Sequence, residues 1–315
     1  MNTWFKKSLL CTLCALTFMM PCTAFWQDRV QAVAEESLLT ASTGHVPVVQ
    51  TVEYKTVAGV MVNFPLAASD PDGDTVTLKL IDQPRLGTAV LDNGSLIYTP
   101  AANRTGTDHF SYCAVDPLGN ESKPARISVK IERNPSQVTY ADMTNNPNHL
   151  AAVRLAQKDV FLGEKIGSSY FLHPSQPMTR SEFIAMTAAA ADLDITQTTC
   201  TDFQDDSALS PWAKPYISAA ADAGLVQGYQ TASGCAEIRG EKPITISEAA
   251  VILSHLVDSV PTASNTVSYQ TVPAWAADAT SQLAQAEILP TSADLDPSEF
   301  VTREMACTML YKIMD

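Results

Sequence analysis

Met178-Thr179-Arg180-Ser181-Glu182-Phe183 has a mechanical meaning before it has a functional one. A threonine opening a helix accepts from the N–H three residues on. A glutamate at that third position reaches back to the threonine's own N–H, and the two close a capping box. The pattern returns as Ile244-Thr245-Ile246-Ser247-Glu248-Ala249 and as Val301-Thr302-Arg303-Glu304-Met305-Ala306, with the threonines 66 and 57 residues apart. In the third copy Met305 replaces the glutamate, so that box is half lost. Recurrence on this scale predicts repeated helical units.

Working upstream from each threonine, an Ala-rich first helix begins near His149-Leu150-Ala151, Trp212-Ala213 and Trp275-Ala276. Before it stands an opening: Tyr140-Ala141-Asp142-Met143, Phe203-Gln204-Asp205-Asp206, or the weaker Tyr269-Gln270-Thr271-Val272-Pro273. The middle block also holds Gly224-Leu225-Val226-Gln227-Gly228-Tyr229. The blocks span 140–195, 200–260 and 266–315. Residues 46–133 differ: Val60 to Phe64, Thr75 to Leu80, His109 to Tyr112 and Arg126 to Ile131 alternate in polarity. Turn clusters at Asp70–Asp74, Asp92-Asn93-Gly94 and Pro117–Asn120 separate them. Seven or so short strands at this spacing predict a β-sandwich. Residues 134–139 are the linker. The change of period there predicts two separately folding parts with a protease-sensitive joint near 133–139.

At the N-terminus, Lys6-Lys7, an apolar run from Ser8 to Met20 and the small residues of Cys22-Thr23-Ala24 read as an export signal, 1–24. A leader, 25–45, follows. Pro21 stands where a lipid-anchoring signal would want a small residue, and no later stretch is long and apolar enough to span a bilayer. The chain has 20 Lys+Arg and 34 Asp+Glu, a net charge of −14 over 315 residues. Losing Lys6 and Lys7 leaves 18 basic against 34 acidic, or −16. That balance excludes a broad nucleic-acid surface. Cys113, Cys200, Cys235 and Cys307 remain after cleavage. Their spacings match no zinc pattern, but Cys200 and Cys235 share a block and could close a loop in it.

Two family resemblances rest on these residues. Asp70-Pro71-Asp72-Gly73-Asp74, Gly87-Thr88-Ala89-Val90, Tyr98-Thr99-Pro100 and Gly106-Thr107-Asp108 with Phe110-Ser111-Tyr112 resemble the Ig-like/cadherin-like modules of bacterial surface proteins. That implies a spacer or adhesive unit, with a surface glycan or protein as possible ligand. The three helical blocks are similar to a triplet of S-layer homology (SLH) repeats. The middle block carries Trp212-Ala213, Gly224 to Tyr229 and Pro243-Ile244-Thr245, and the outer blocks keep Thr179-Arg180-Ser181-Glu182-Phe183 and Thr302-Arg303. This resemblance implies helical hairpins about a pseudo-threefold axis. It also implies non-covalent anchoring to an anionic, often pyruvylated, secondary cell-wall polysaccharide linked to peptidoglycan. The expected fold is thus an all-β Ig-like sandwich followed by an all-α SLH triplet.

Arg180 and Arg303 sit in first helical turns, where the macrodipole disfavours a cation by about 0.3–1 kcal/mol. Each needs an offsetting partner. One reading is an anion clamp in which the guanidinium and the free N–H groups of the helix end act together. The other is an internal pair with an acid such as Asp142 or Asp205. Trp212 and Trp275 are expected to pack at a core edge and to wall a groove. The candidate polymer-binding set is Arg180, Arg303, Thr179, Thr302, Trp212, Trp275, Asp142, Asp205 and Gly228. Asp70, Asp72 and Asp74 alternate as at the start of a calcium loop, but Ile81 occupies the twelfth position, so they read mainly as a polar turn with weak Ca2+ binding as the alternative. No other cofactor is implied. No nucleophile elbow or His-Glu-x-x-His motif is present, which argues against a wall hydrolase. The mature chain is expected to fractionate with the cell wall and to be released by denaturant without covalent cleavage. Recovery in the culture supernatant or cytoplasm would refute this.

Overall fold

The computed structural model describes residues 44–232, 234–257, 272–290 and 295–314. The signal segment, most of the leader and the third opening through Thr271 lie outside the described residues. The β part contains β1 (Val48–Val49), β2 (Val52–Val57), β3 (Val62–Pro65), β4 (Ala68–Ser69) and β5 (Thr77–Leu80). It continues with β6 (Gly87–Asp92), β7 (Ser95–Pro100), β8 (Gly106–Val115) and β9 (Ala125–Glu132). One sheet has the order β2-β9-β8-β5 and the other β3-β7-β6, with β1 and β4 paired apart. Alternate residues of β9 turn inward, and Ile127 and Val129 meet Phe64, Leu96 and Tyr98 of the facing sheet in one core. Strands β2 and β9 pair in parallel, from Val52 opposite Ile127 to Val57 opposite Glu132. The buried Asp108 is saturated: Tyr98 Oη donates to it at 2.8 Å, and the Arg85 and Leu86 N–H groups at 2.9 and 2.7 Å.

Among the described residues six α-helices follow: α1 (His149–Gln157), α2 (Arg180–Ala190), α3 (Lys214–Asp222), α4 (Ile246–Ser254), α5 (Ala277–Gln285) and α6 (Arg303–Met314). Between α1 and α2 lies the hairpin β10 (Glu164–Ile166)–β11 (Ser169–Phe171), and between α3 and α4 the hairpin β12 (Tyr229–Gln230)–β13 (Ala236–Glu237). These hairpins make the second part mixed rather than all-α. Helix packing also departs from the sequence blocks. Helix α2 packs on α3, α4 on α5, and the first helix, α1, on the last, α6. Each pair takes the second helix of one block and the first of another. Small buried faces such as Ala152, Ala220 and Ala284 let the axes approach.

The residue before each threonine ties the blocks together. Met178 N–H donates to Val301 O at 2.9 Å, Val301 N–H to Ile244 O at 2.9 Å, and Ile244 N–H to Met178 O at 3.0 Å. All three residues are fully buried, so a closed ring of backbone bonds sits inside the helical core.

The two parts share an interface. Val57 and Val60 belong to the helical core, and Leu150 packs against both cores. Arg154 Nη2 lies 2.7 Å from Glu132 Oε2. Within the connecting segment Val138 is buried, Asn134 Nδ2 donates to Val138 O at 2.9 Å, and Gln157 Nε2 donates to Asn134 at 3.2 Å. The segment is thus an irregular stretch packed at Val138, with Arg133, Pro135, Gln137 and Thr139 exposed.

His149 is buried and its Nε2 accepts the Tyr140 N–H at 3.2 Å. Burial pushes its pKa below the usual 6.5, with Asp142 pulling weakly the other way. The unfolded chain therefore binds the proton more readily, and this contribution is complete above about pH 6.5 and shrinks as the pH falls below it. Exposed His45, raised by its hydrogen bond to Asp72, works with the opposite sign. The readout is therefore the difference between chains: between about pH 7 and 5.5 the wild type should lose thermal stability relative to His149→Gln. Parallel melting profiles would remove His149 from this role.

Candidate functional site

The threonine motifs fold as their spacing requires. The Glu182 N–H donates to Thr179 Oγ1 at 3.2 Å and the Thr179 N–H to Glu182 Oε2 at 2.8 Å; Thr245 and Glu248 repeat this at 3.3 and 3.0 Å. Thr302 keeps half of it, accepting from the Met305 N–H at 3.3 Å.

The next N–H groups do not point at free space. Arg180 and Ser181 donate to Lys242 O and Gly240 O at 2.8 and 2.9 Å, and Ile246 and Ser247 to Glu299 O and Pro297 O, both at 2.9 Å. Arg303 and Glu304 donate to Gln176 O and Pro174 O at 3.0 and 3.1 Å. Each helix end is satisfied by the loop of another block, so the expected share of backbone N–H groups in an anion clamp is withdrawn. What remains is the guanidinium.

Arg180 is nearly buried, its Cζ 4.9 Å from the centre of the Tyr229 ring, and Arg239 Cζ stands 4.4 Å from the same ring. Tyr229 Oη donates to Glu248, and Arg180 Nη1 donates to Tyr229 Oη at 3.4 Å. Burial, and then the Glu248 carboxylate, push the Tyr229 hydroxyl up to about 12, so it stays protonated. Arg180 Nη1 approaches Glu248 Oε2 only to 3.9 Å. Arg303 repeats the theme, with Cζ 5.7 Å from the Phe161 ring, Nη1 donating to Leu172 O at 3.3 Å, and Nη2 3.5 Å from Glu182 Oε1. In both arginines Nε is buried without a partner.

The internal acids are thus the capping glutamates of other blocks, not Asp142 or Asp205. Asp142 accepts the Leu172 and His173 N–H groups at 3.0 and 2.7 Å, and Asp205 those of Ile238 and Arg239 at 2.9 and 2.7 Å. His173 and Arg239 have φ of 57° and 56°, and each carboxylate fixes the left-handed residue that leaves its hairpin. Following the arginines, Arg303 leads to Glu182 and Arg180 to Glu248. The same step leads from Ile246 to Met305, where cation and carboxylate have both become apolar.

Gly228 has φ of 71°, and a Cβ there would lie 2.8 Å from Glu237 O and 2.8 Å from the Phe203 ring. Its role is to let the hairpin close on the aromatic opening residue. Gly163 does the same against Phe171 O and Tyr140, at 2.5 and 2.9 Å. Sequence reading missed Gly163; the signal was a glycine two residues after Phe161. Trp212 and Trp275 are 52% and 61% exposed, which overturns their core-edge packing, because the neighbouring Ala213 and Ala276 take the buried positions. At the turn, Asp72 is engaged by His45 Nδ1 at 2.6 Å, and Asp70 accepts the Asp72 N–H at 2.8 Å. Among the described residues no group of three or more His, Cys, Asp or Glu is placed to hold a metal. Cys113, Cys200, Cys235 and Cys307 are free thiols, and Cys200 and Cys235 close no loop.

Residues 202–250 match the family model of the S-layer homology domain, and residues 44–130 match that of a bacterial Ig domain. Each match covers one segment of the chain, well under half of its length. The surface-layer 125 kDa protein of Lysinibacillus sphaericus is 31% identical over 87 residues, 28% of this chain and 7% of that protein. The chain thus spans a small part of that relative. Among solved structures, the SrpA adhesin of Streptococcus sanguinis is 14% identical over 40% of this chain and 83% of its own, with a TM-score of 0.26. Domains 4 and 5 of the S-layer protein SbsC are 12% identical over 28% and 46%, with a TM-score of 0.20. Likenesses this low carry no functional weight. Among the described residues no helix is long and apolar enough to cross a membrane.

Within the 202–250 segment, Gly228→Ala should lower the melting temperature markedly, because strain in the left-handed region adds to a backbone clash. The expected loss is above about 1 kcal/mol. Gly234→Ala, with φ of 80° and nothing within 4 Å of its Cβ, should cost less. Equal losses would remove the close approach from the account.

Proposed function

We propose that the protein is a surface component held non-covalently on the cell wall by three SLH units, spanning 140–195, 200–260 and 266–315. In this reading the units surround a pseudo-threefold axis, and the grooves between them bind an anionic, pyruvylated wall polysaccharide. The Ig module projects as a spacer. The observation that carries the reading is a pair of nearly buried arginines, each beside an aromatic ring, each with one long contact to a carboxylate and an unpartnered buried Nε. A guanidinium so little satisfied gains most from a carboxylate that binds it in two-pronged fashion. The ring of backbone bonds through Met178, Ile244 and Val301 supports the threefold arrangement. A net charge of −14 repels an anionic polymer at a distance, so local contacts must hold it. The wall localisation follows from the same reading, with binding rather than catalysis as the activity.

The grooves should be unequal. Arg180→Ala should weaken wall-polymer binding at least about tenfold, since truncating one partner of a buried charge pair costs about 2 kcal/mol or more. Arg303→Ala should be somewhat milder, and Ile246→Val should change little. Valine is the control because Ile246 is fully buried, and alanine there would open a cavity. Binding is read on one polymer preparation, with circular dichroism confirming the fold. Equal affinities across the variants would overturn the arginine mechanism.

A further inference from the structure

A cleft lies away from both arginines, where the sandwich meets helices α1 and α6. It has a volume of about 740 Å³, within the range of ligand sites, and lies at a domain junction, where such sites are common. Four cations line it (Lys55, Arg154, Lys158 and Lys312) against two carboxylates, Glu53 and Glu132, a net of +2 on a chain of −14. Arg154 and Glu132 satisfy each other at 2.7 Å. Lys55 and Lys158 are exposed. On the sheet, Lys55 stands opposite Lys130 in register, and Glu132, 3.2 Å from Lys130 Nζ, offsets Lys130, which leaves Lys55 as the lysine of that pair that faces the cleft. Tyr54, stacked on Phe64 at 3.6 Å between ring centres, and Tyr311 add aromatic surface to the lining.

We infer that this cleft is a second binding site, for an anionic oligosaccharide. The lysines would meet its carboxylates or other anionic groups, and the tyrosines the apolar faces of its rings. Cations concentrated in a cleft raise the local concentration of an anion even where the whole molecule repels it. The inference does not depend on the SLH grooves, since none of Arg180, Arg239 or Arg303 lines the cleft.

The test is titration calorimetry on the full chain with a galacturonic acid tetramer and a neutral glucose tetramer, each at low and physiological salt. The acidic tetramer should bind, more weakly as salt rises, and the neutral one should not. The double variant Lys55→Ala/Lys158→Ala, on exposed side chains, should weaken binding about tenfold or more, two charge-assisted contacts being lost. Arg180→Ala/Arg303→Ala should leave it unchanged, which separates this site from the wall-polymer grooves. No binding of the acidic tetramer, equal binding of the two tetramers, or binding that survives loss of both lysines would overturn the proposal.

Discussion

The helical part depends on one constraint: the opening N–H groups of each capped helix must find acceptors, and they find them in another block. A helix end carries several N–H groups without an internal partner, and leaving one buried and unbonded costs about 1–3 kcal/mol. Here the loop carbonyls of Gly240, Lys242, Pro297, Glu299, Pro174 and Gln176 supply what helices α2, α4 and α6 lack. Met178, Ile244 and Val301 close the circuit. No block is complete by itself, and the pairing of the first helix with the last follows from that closure.

The same constraint explains how an arginine survives in a first helical turn. With the nearby N–H dipoles bonded to carbonyls, the field that would repel a cation is partly quenched. The capping glutamate of a neighbouring block then stands 3.5 or 3.9 Å from the guanidinium. Glu182 and Glu248 therefore work twice, once for their own helix and once across the seam. Where that glutamate becomes Met305, the residue facing this role is Ile246 and not an arginine. Loss of the acid and loss of the base occur at the same seam.

Much of this was legible in the sequence wherever a local rule had no competitor. Thr179 and Thr245 cap as their spacing predicts, and the alternating run Arg126 to Ile131 lies inside β9. What escaped was decided by tertiary contact. The β12–β13 hairpin pairs two residues with two, too few for any period to show. Asp142 and Asp205 looked like partners for arginine, yet backbone donors at left-handed residues outcompete a distant cation. Trp212 and Trp275 looked like core residues from their size, but the alanines beside them fill the space between close-packed helices. Exchange of helix partners between blocks left no trace, because every first helix presents a similar small face.

The parallel pairing of β2 with β9 bears on mechanics. These strands carry the two ends of the sandwich, and both run in the same direction. A tension that draws the beginning of β2 away from the end of β9 acts along the strands, in opposite senses. The rungs from Val52–Ile127 to Val57–Glu132 are then loaded together in shear, rather than one at a time as when a hairpin is peeled from its tip. Beyond Glu132, the Arg154 contact and the buried Val57 and Val60 pass that load into helix α1 and the helical core. A module clamped in this way resists extension as a single latch.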